Sequence, residues 1–143
     1  MIYIGIDPGK SGSIAFVCEE SAWTIPTSST DRDLIDAIVD ADCEDKIAFA
    51  LIEQVSSSPQ MGVVSAFTFG RSYGSLEMLL SACNVPFERI TPAKWQDAMK
   101  CRTGGDKNIS KRRAQELFPT IKVTHKNADA LLLAEHCRRT QSQ

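Results

Sequence analysis

No apolar run in this 143-residue chain approaches the ~20 residues that a bilayer-crossing helix needs. A basic n-region is missing at the N-terminus, and Asp7 interrupts the apolar stretch there. No signal peptide is therefore expected, and the protein is expected in the cytoplasm, without a membrane partner. The five cysteines (Cys18, Cys43, Cys83, Cys101, Cys137) form no CxxC pair and are odd in number. That argues against a zinc site and against a disulfide framework, and leaves small hydrophobes or half-exposed thiols of a reducing compartment. Walker A spacing and a GxGxxG fingerprint are both absent. Repeats, low-complexity tracts and linker-like stretches are absent too, so residues 1–143 read as one domain with room for a real core.

Positive charge is scarce in the first 88 residues, which carry 4 basic against 13 acidic side chains. Residues 89–143 reverse this with 12 basic and 5 acidic, so the net charge of −2 conceals halves of −9 and +7. Either one face meets a polyanion, or two opposed surfaces exist without a partner. The basic excess is densest from Arg89 to Arg113, with eight basic residues and two acidic.

What the chain does have is a clear alternation of strand and helix patterns. Residues 2–6 (IYIGI) and 12–18 (GSIAFVC) read as strands of a hairpin around the turn-forming DPGKS, and SAWTIP as a short third strand. Ser/Thr/Asp caps then precede Leu34, Ile35, Ile38 and Val39 at helical spacing. IAFALIE is a continuous apolar run ended by one acid, as in a buried central strand. A long helical pattern follows the SSSPQM loop, with its middle left open by Gly70 and Gly74. VPFERI reads as a strand and TPAKWQDAM as a helix with Pro in its first turn. ISKRRAQELF is a basic amphipathic helix closed by Pro119, and residues 126–139 form the last helix. This order predicts an α/β fold: a mixed sheet with helices on its faces, and ligands at strand ends where connections diverge.

Three acids stand out because each abuts an apolar run. Asp7 ends the first strand, Glu53 ends IAFALIE, and Asp129 lies in the first turns of the last helix. If the two strands are neighbours, their terminal acids lie about 5 Å apart. Three such carboxylates repel one another unless a cation neutralises them, and hard oxygen donors suit Mg²⁺ or Mn²⁺. Two such ions ~3.5–4 Å apart can activate water and stabilise the leaving oxygen in phosphodiester cleavage. Taken singly, each acid also has a plain role: Asp7 as a turn former, Glu53 at a solvated strand end, Asp129 against a helix dipole. An Asp-x-Gly turn after a strand also binds ATP in the sugar-kinase and actin superfamily, but that two-domain fold needs far more chain.

In order and spacing, IGIDPGKSGSIAF, ALIEQV and NADALLLAEH resemble the three motifs of RuvC-type Holliday junction resolvases. The resemblance is closest to the short, phage-encoded branch and spans residues 2–137, with FGRSYGSLEMLL, ITPAKWQDAM and SKRRAQELFP as its connecting segments. It implies a ribonuclease-H-like fold, a five-stranded mixed sheet with helices on both faces, and a Mg²⁺-dependent nuclease that also accepts Mn²⁺. It further implies a homodimer, with two ions in each active site, making paired nicks across a four-way junction and leaving 5′-phosphate and 3′-hydroxyl ends. A phage-encoded member would act in the host cell cytoplasm. Asp7, Glu53 and Asp129 fall on the family's metal-binding acids, and Lys94 and Lys107 on its phosphate-contacting lysines.

Two departures stand beside the match. Where relatives carry a further acid or His about one turn before the last Asp, this chain has His125 and Lys126. On a continuous helix His125 would share a face with Asp129, able to ligate metal or shuttle a proton, or simply to cap the helix. Lys126 could approach the scissile phosphate. The loop after Glu53 lacks the aromatic that relatives wedge into the junction, with Phe69 and Tyr73 as substitutes or as plain helix core. Lys111, Arg112 and Arg113 at the start of a helix oppose its dipole, which a phosphate partner would relieve, and Arg71 would flank the acids. The surplus apolar residues of the long helix suit a twofold interface. Two other functions share the pattern: a branched-DNA-binding protein that does not cleave, and a nuclease of RNA–DNA hybrids.

Overall fold

The computed structural model describes residues 1–142. Its elements run β1 (Ile2–Asp7), β2 (Ser13–Val17), β3 (Ala22–Pro26), α1 (Asp31–Glu44), β4 (Ile47–Glu53), α2 (Val63–Ala82), β5 (Phe87–Ile90), α3 (Pro92–Ala98), α4 (Lys107–Leu117) and α5 (Ala128–Gln141). The five strands form one sheet in the order β3-β2-β1-β4-β5. β1, β2 and β3 are an antiparallel meander, whereas β4 pairs parallel with β1 and β5 parallel with β4. The fold is thus α/β with a mixed sheet, as the sequence predicts.

Strand alternation divides the core into two layers. Ile2, Ile4 and Ile6 of β1, with Ala50 and Ile52 of β4, face Leu34, Ile38 and Ala41 of α1 and Leu76, Leu79 and Leu80 of α2. Tyr3 and Leu51 face the other way, into the layer made by α3, α4 and α5. α5 is buried along most of its length, from Ala128 to Cys137, because it packs directly on β1, β2 and β4.

The charge asymmetry maps onto these two sides. Asp31, Asp33, Asp36, Asp40, Asp42 and Glu44 all belong to α1, and the basic stretch forms α3, α4 and the loop between them. Local signals explain the boundaries. The Thr30 hydroxyl accepts from the Asp33 N–H to start α1, and Asp106 does the same for Asn108 to start α4. α2 runs unbroken through Gly70 and Gly74, neither of which touches anything with the position a Cβ would occupy. No helix among the described residues is long and apolar enough to cross a membrane.

Candidate active site

Alternation along the strands decides where the three acids go. Asp7 shares the face of Tyr3 and Gly5, and Glu53 shares the face of Leu51, so both point into the α5 side of the sheet. Ile6 lies opposite Ile52 in the parallel pairing, which places Asp7 and Glu53 next to one another at the same end of the sheet. Asp129 enters from above, in the first turn of α5.

Gly5 makes that entry close. A Cβ there would lie 2.3 Å from the Ala130 carbonyl oxygen and 2.2 Å from the Ala134 nitrogen. Only a glycine lets the α5 backbone rest on β1 at this depth, carrying Asp129 over the end of the strand. The turn after Asp7 is equally constrained. Gly9 has φ of 124°, and the buried Thr27 hydroxyl reaches the carbonyls of Gly9 at 2.6 Å and Gly12 at 3.1 Å. Ser13, the pairing partner of Asp7, donates through its hydroxyl to the Lys126 carbonyl at 2.9 Å.

The electrostatics match an enclosed group of like charges. Burial, then Glu53 and Asp129, push Asp7 up to about 8, against the opposing pull of Lys107. Burial also raises Glu53, with Asp129 adding to it, while a hydrogen bond from Trp95 and the charge of Lys107 work the other way. Asp129 is raised by burial and eased by Ser110, Lys107 and His125. One oxygen of Asp129, Oδ1, is buried with no hydrogen-bond partner. A buried carboxylate oxygen without a donor is costly unless a cation meets it.

These residues fit a hard divalent cation. Among the described residues, no three ligating side chains surround a common point as a finished cage. Mg²⁺ does not need one, because it commonly binds one or two carboxylates and completes its shell with water and substrate phosphate.

The remaining predicted residues take distinct places. Lys107, exposed at the first position of α4, is the one lysine that lowers the pKa of all three acids. The adverse position in the helix dipole therefore belongs to Lys107, because α4 starts there and Lys111, Arg112 and Arg113 lie a turn further on. Arg113 bonds the Met99 carbonyl and Glu116, and Arg89 and Arg102 pair with Glu77 and Asp97. Lys94, Lys100, Lys107, Lys111 and Arg112 make no ion pair among the described residues, and all but the half-buried Lys111 are exposed. Lys94 lies on α3 beside His136, whose pKa it lowers after burial does so. Arg71 lines a groove of about 1050 Å³ between α1 and α2, shared with Asp31 and Asp42.

His125 and Lys126 are exposed in the turn before α5, since the helix begins at Ala128 and not at residue 126. The turn is helix-like, with the Ala128 N–H bonded to the Thr124 carbonyl at 3.1 Å, and His125 stays near enough to ease Asp129. Phe69 and Tyr73 stack on α2 with centroids 6.4 Å apart, and Phe69 is the side chain nearest the open side of Gly9. Four supporting residues escape the sequence reading: Trp95, Thr27, Ser13 and Ser110. Each looks like ordinary core or turn in the sequence, and only long-range contacts reveal it.

No family model matches the sequence, and no curated protein is a significant match. Solved structures are similar. RuvC of Thermus thermophilus superposes with a TM-score of 0.65 at 14% identity, over 99% of this chain and 97% of that one. The T. thermophilus RuvC in complex with a Holliday junction substrate gives a TM-score of 0.64 at 16% identity, over 94% of this chain and 90% of the other. The sheet order, the flanking helices and this whole-chain superposition agree: the chain has a RuvC-like, ribonuclease-H-like fold.

Proposed function

We propose that this protein is a metal-dependent endonuclease that resolves four-way DNA junctions or closely related branched DNA. The observation that carries the proposal is the trio Asp7, Glu53 and Asp129, gathered on one face of a RuvC-like sheet around a buried carboxylate oxygen that lacks a partner. The likeness to a RuvC that binds a Holliday junction supports branched DNA as the substrate class.

In this reading the three acids hold Mg²⁺, with Mn²⁺ as a substitute and two ions in each site. When bound, such a pair supplies Lewis acidity at the scissile phosphate and lowers the pKa of the attacking water. The chain's own residues do the rest. Lys107 stands where it can grip the phosphate beside the acids, and Lys94, Lys111, Arg112 and Lys126 hold the flanking backbone. Phosphate contacts of this kind position the DNA without reading its sequence. His125, exposed at the mouth, can complete the donor set or pass a proton. Phe69, backed by the core-packed Tyr73, offers a stacking surface to an unpaired base.

A second copy completes the enzyme, because a twofold junction needs two equivalent sites. Val63, Val64, Phe67 and Met78 of α2 are 66–87% exposed, and Met78 lines the groove between α1 and α2 together with Ile35 and Val39 of α1. That apolar face suits an isologous dimer. Sedimentation at rising concentration tests it: Phe67→Asp together with Met78→Asp should hold the protein monomeric.

The decisive comparison is cleavage of a labelled four-way junction beside a linear duplex and an RNA–DNA hybrid, with Mg²⁺, Mn²⁺ or EDTA. Metal-dependent paired nicks in the junction alone are expected, with ends that a ligase seals. Tight binding with no nicks would assign the protein to the non-cleaving class, and preference for the hybrid would make it a different nuclease.

A further inference from the structure

Trp95 is the largest fully buried side chain in the protein, and its single polar atom is directed at the carboxylate centre. Nε1 donates to Glu53 Oε2 at 2.7 Å. Local chain geometry brings the two together. β5 lies parallel to β4 with Ile90 opposite Glu53, and the Gln54 N–H bonds the Ile90 carbonyl at 2.7 Å. Thr91 and Pro92 then lead straight into α3, which delivers the indole behind the end of β4. There it packs in the same core layer as Met99, Cys101 and Ala114.

A buried indole N–H needs an acceptor, and a backbone carbonyl would serve at far less cost than a carboxylate drawn out of water. Here the acceptor is an acid with 9% exposure and two further acids beside it. The bond makes sense by what it does to Glu53. An indole N–H only donates, so it commits one oxygen of the pair, and Oε1 has no other hydrogen bond among the described residues. Because Trp95 itself is fixed by packing, the Glu53 side chain is fixed with it.

We propose that Trp95 is a positioning residue for Glu53: it holds Oε2 so that Oε1 faces a divalent cation shared with the neighbouring acids. This rests on the carboxylate centre being a metal site, as read above. Outer partners that orient metal ligands typically change affinity by about 10- to 100-fold when removed.

The test is calorimetric titration of the full chain with Mn²⁺ alone, in four forms. These are wild type, Glu53→Gln, Trp95→Phe, and protein carrying 3-benzothienylalanine at position 95, which keeps the shape of the indole but has sulfur in place of N–H. In a Trp23→Phe background, quenching of Trp95 emission by paramagnetic Mn²⁺ gives a second readout. Mn²⁺ affinity should fall at least about tenfold in both Trp95 forms. The benzothienyl form should keep a near-wild-type thermal midpoint, and excess Mn²⁺ should restore its junction cleavage. Unchanged affinity in that form, with affinity lost in Glu53→Gln, overturns the role of Trp95 and leaves the metal centre standing. Unchanged affinity in Glu53→Gln, or no Mn²⁺ binding by wild type, overturns both together.

Discussion

The Ser13 hydroxyl donates to the Lys126 carbonyl at 2.9 Å, joining points 113 residues apart in the chain. Ser13 is the strand partner of Asp7, and Lys126 lies in the turn between His125 and Asp129. That bond therefore ties the start of β2, paired with the end of β1, to the turn before α5, between the segments that carry Asp7 and Asp129. Ser13→Ala should cost about 1–2 kcal/mol of stability, as expected when a carbonyl loses a mostly buried donor. It should also raise the Mg²⁺ concentration needed for half-maximal cleavage. Urea unfolding and a Mg²⁺ titration of junction cleavage read the two effects separately.

Gly5→Ala should be among the most damaging single changes. Its Cβ would meet backbone atoms of α5 at 2.2 and 2.3 Å, and backbone cannot swing aside as a side chain can. Overpacking typically costs about 1–3 kcal/mol, and this site belongs at or beyond the upper end. A thermal midpoint equal to wild type would mean that α5 does not rest on β1 as described.

The raised pKa of Asp7 sets a pH dependence of stability in metal-free protein. Its folded value of about 8 lies above the ordinary 3.8, so the folded state holds a proton that the unfolded state releases. Stability from this group is complete below about pH 4 and is lost as pH rises toward 8. Asp7→Asn removes the share of the dependence that belongs to this group, leaving those of Glu53 and Asp129, so in EDTA at pH 8 it should melt higher than wild type. The same variant should lose cleavage by at least about a hundredfold while still binding junctions. Divalent metal should reverse the order of the two melting points, because it replaces the proton with a bound charge.

Lys107→Ala should weaken junction binding and reduce its salt dependence by about one unit of slope, as for one lost phosphate contact. Lys107 also lowers the pKa of Asp7, Glu53 and Asp129. The cleavage pH profile should therefore move to higher pH in the variant. Lys94→Ala, out on α3 near His136, should weaken binding without moving the profile.

Much of this site is legible in the sequence because strands repeat every two residues. An apolar run ended by one acid, found twice, places both acids at strand ends, and Asp129 inside ADALLLA marks a buried helix start. The supporting bonds are not legible, since they join residues far apart in the chain. Trp95 reads as core, which it is, and nothing in TPAKWQDAM says that its N–H meets an acid 42 residues earlier. The glycines of α2 leave its continuity open because propensity disfavours them, by roughly 1 kcal/mol each. Packing of Leu76, Leu79 and Leu80 on the sheet outweighs that. The start of α4 at Lys107 turns on one Asp106 cap, a choice between neighbouring polar residues that periodicity does not resolve.

If Asp7, Glu53 and Asp129 hold the metal for cutting branched DNA, removing the charge of one of them must abolish cleavage and spare binding. The most direct measurement is cleavage of a labelled four-way junction in Mg²⁺ by wild type and by Asp129→Asn, with a gel shift of each protein in Ca²⁺. Paired nicks by wild type, none by the variant, and equal shifts by both are the predicted result. Equal cutting by the two proteins, or a junction that wild type binds yet leaves whole in both Mg²⁺ and Mn²⁺, would contradict it.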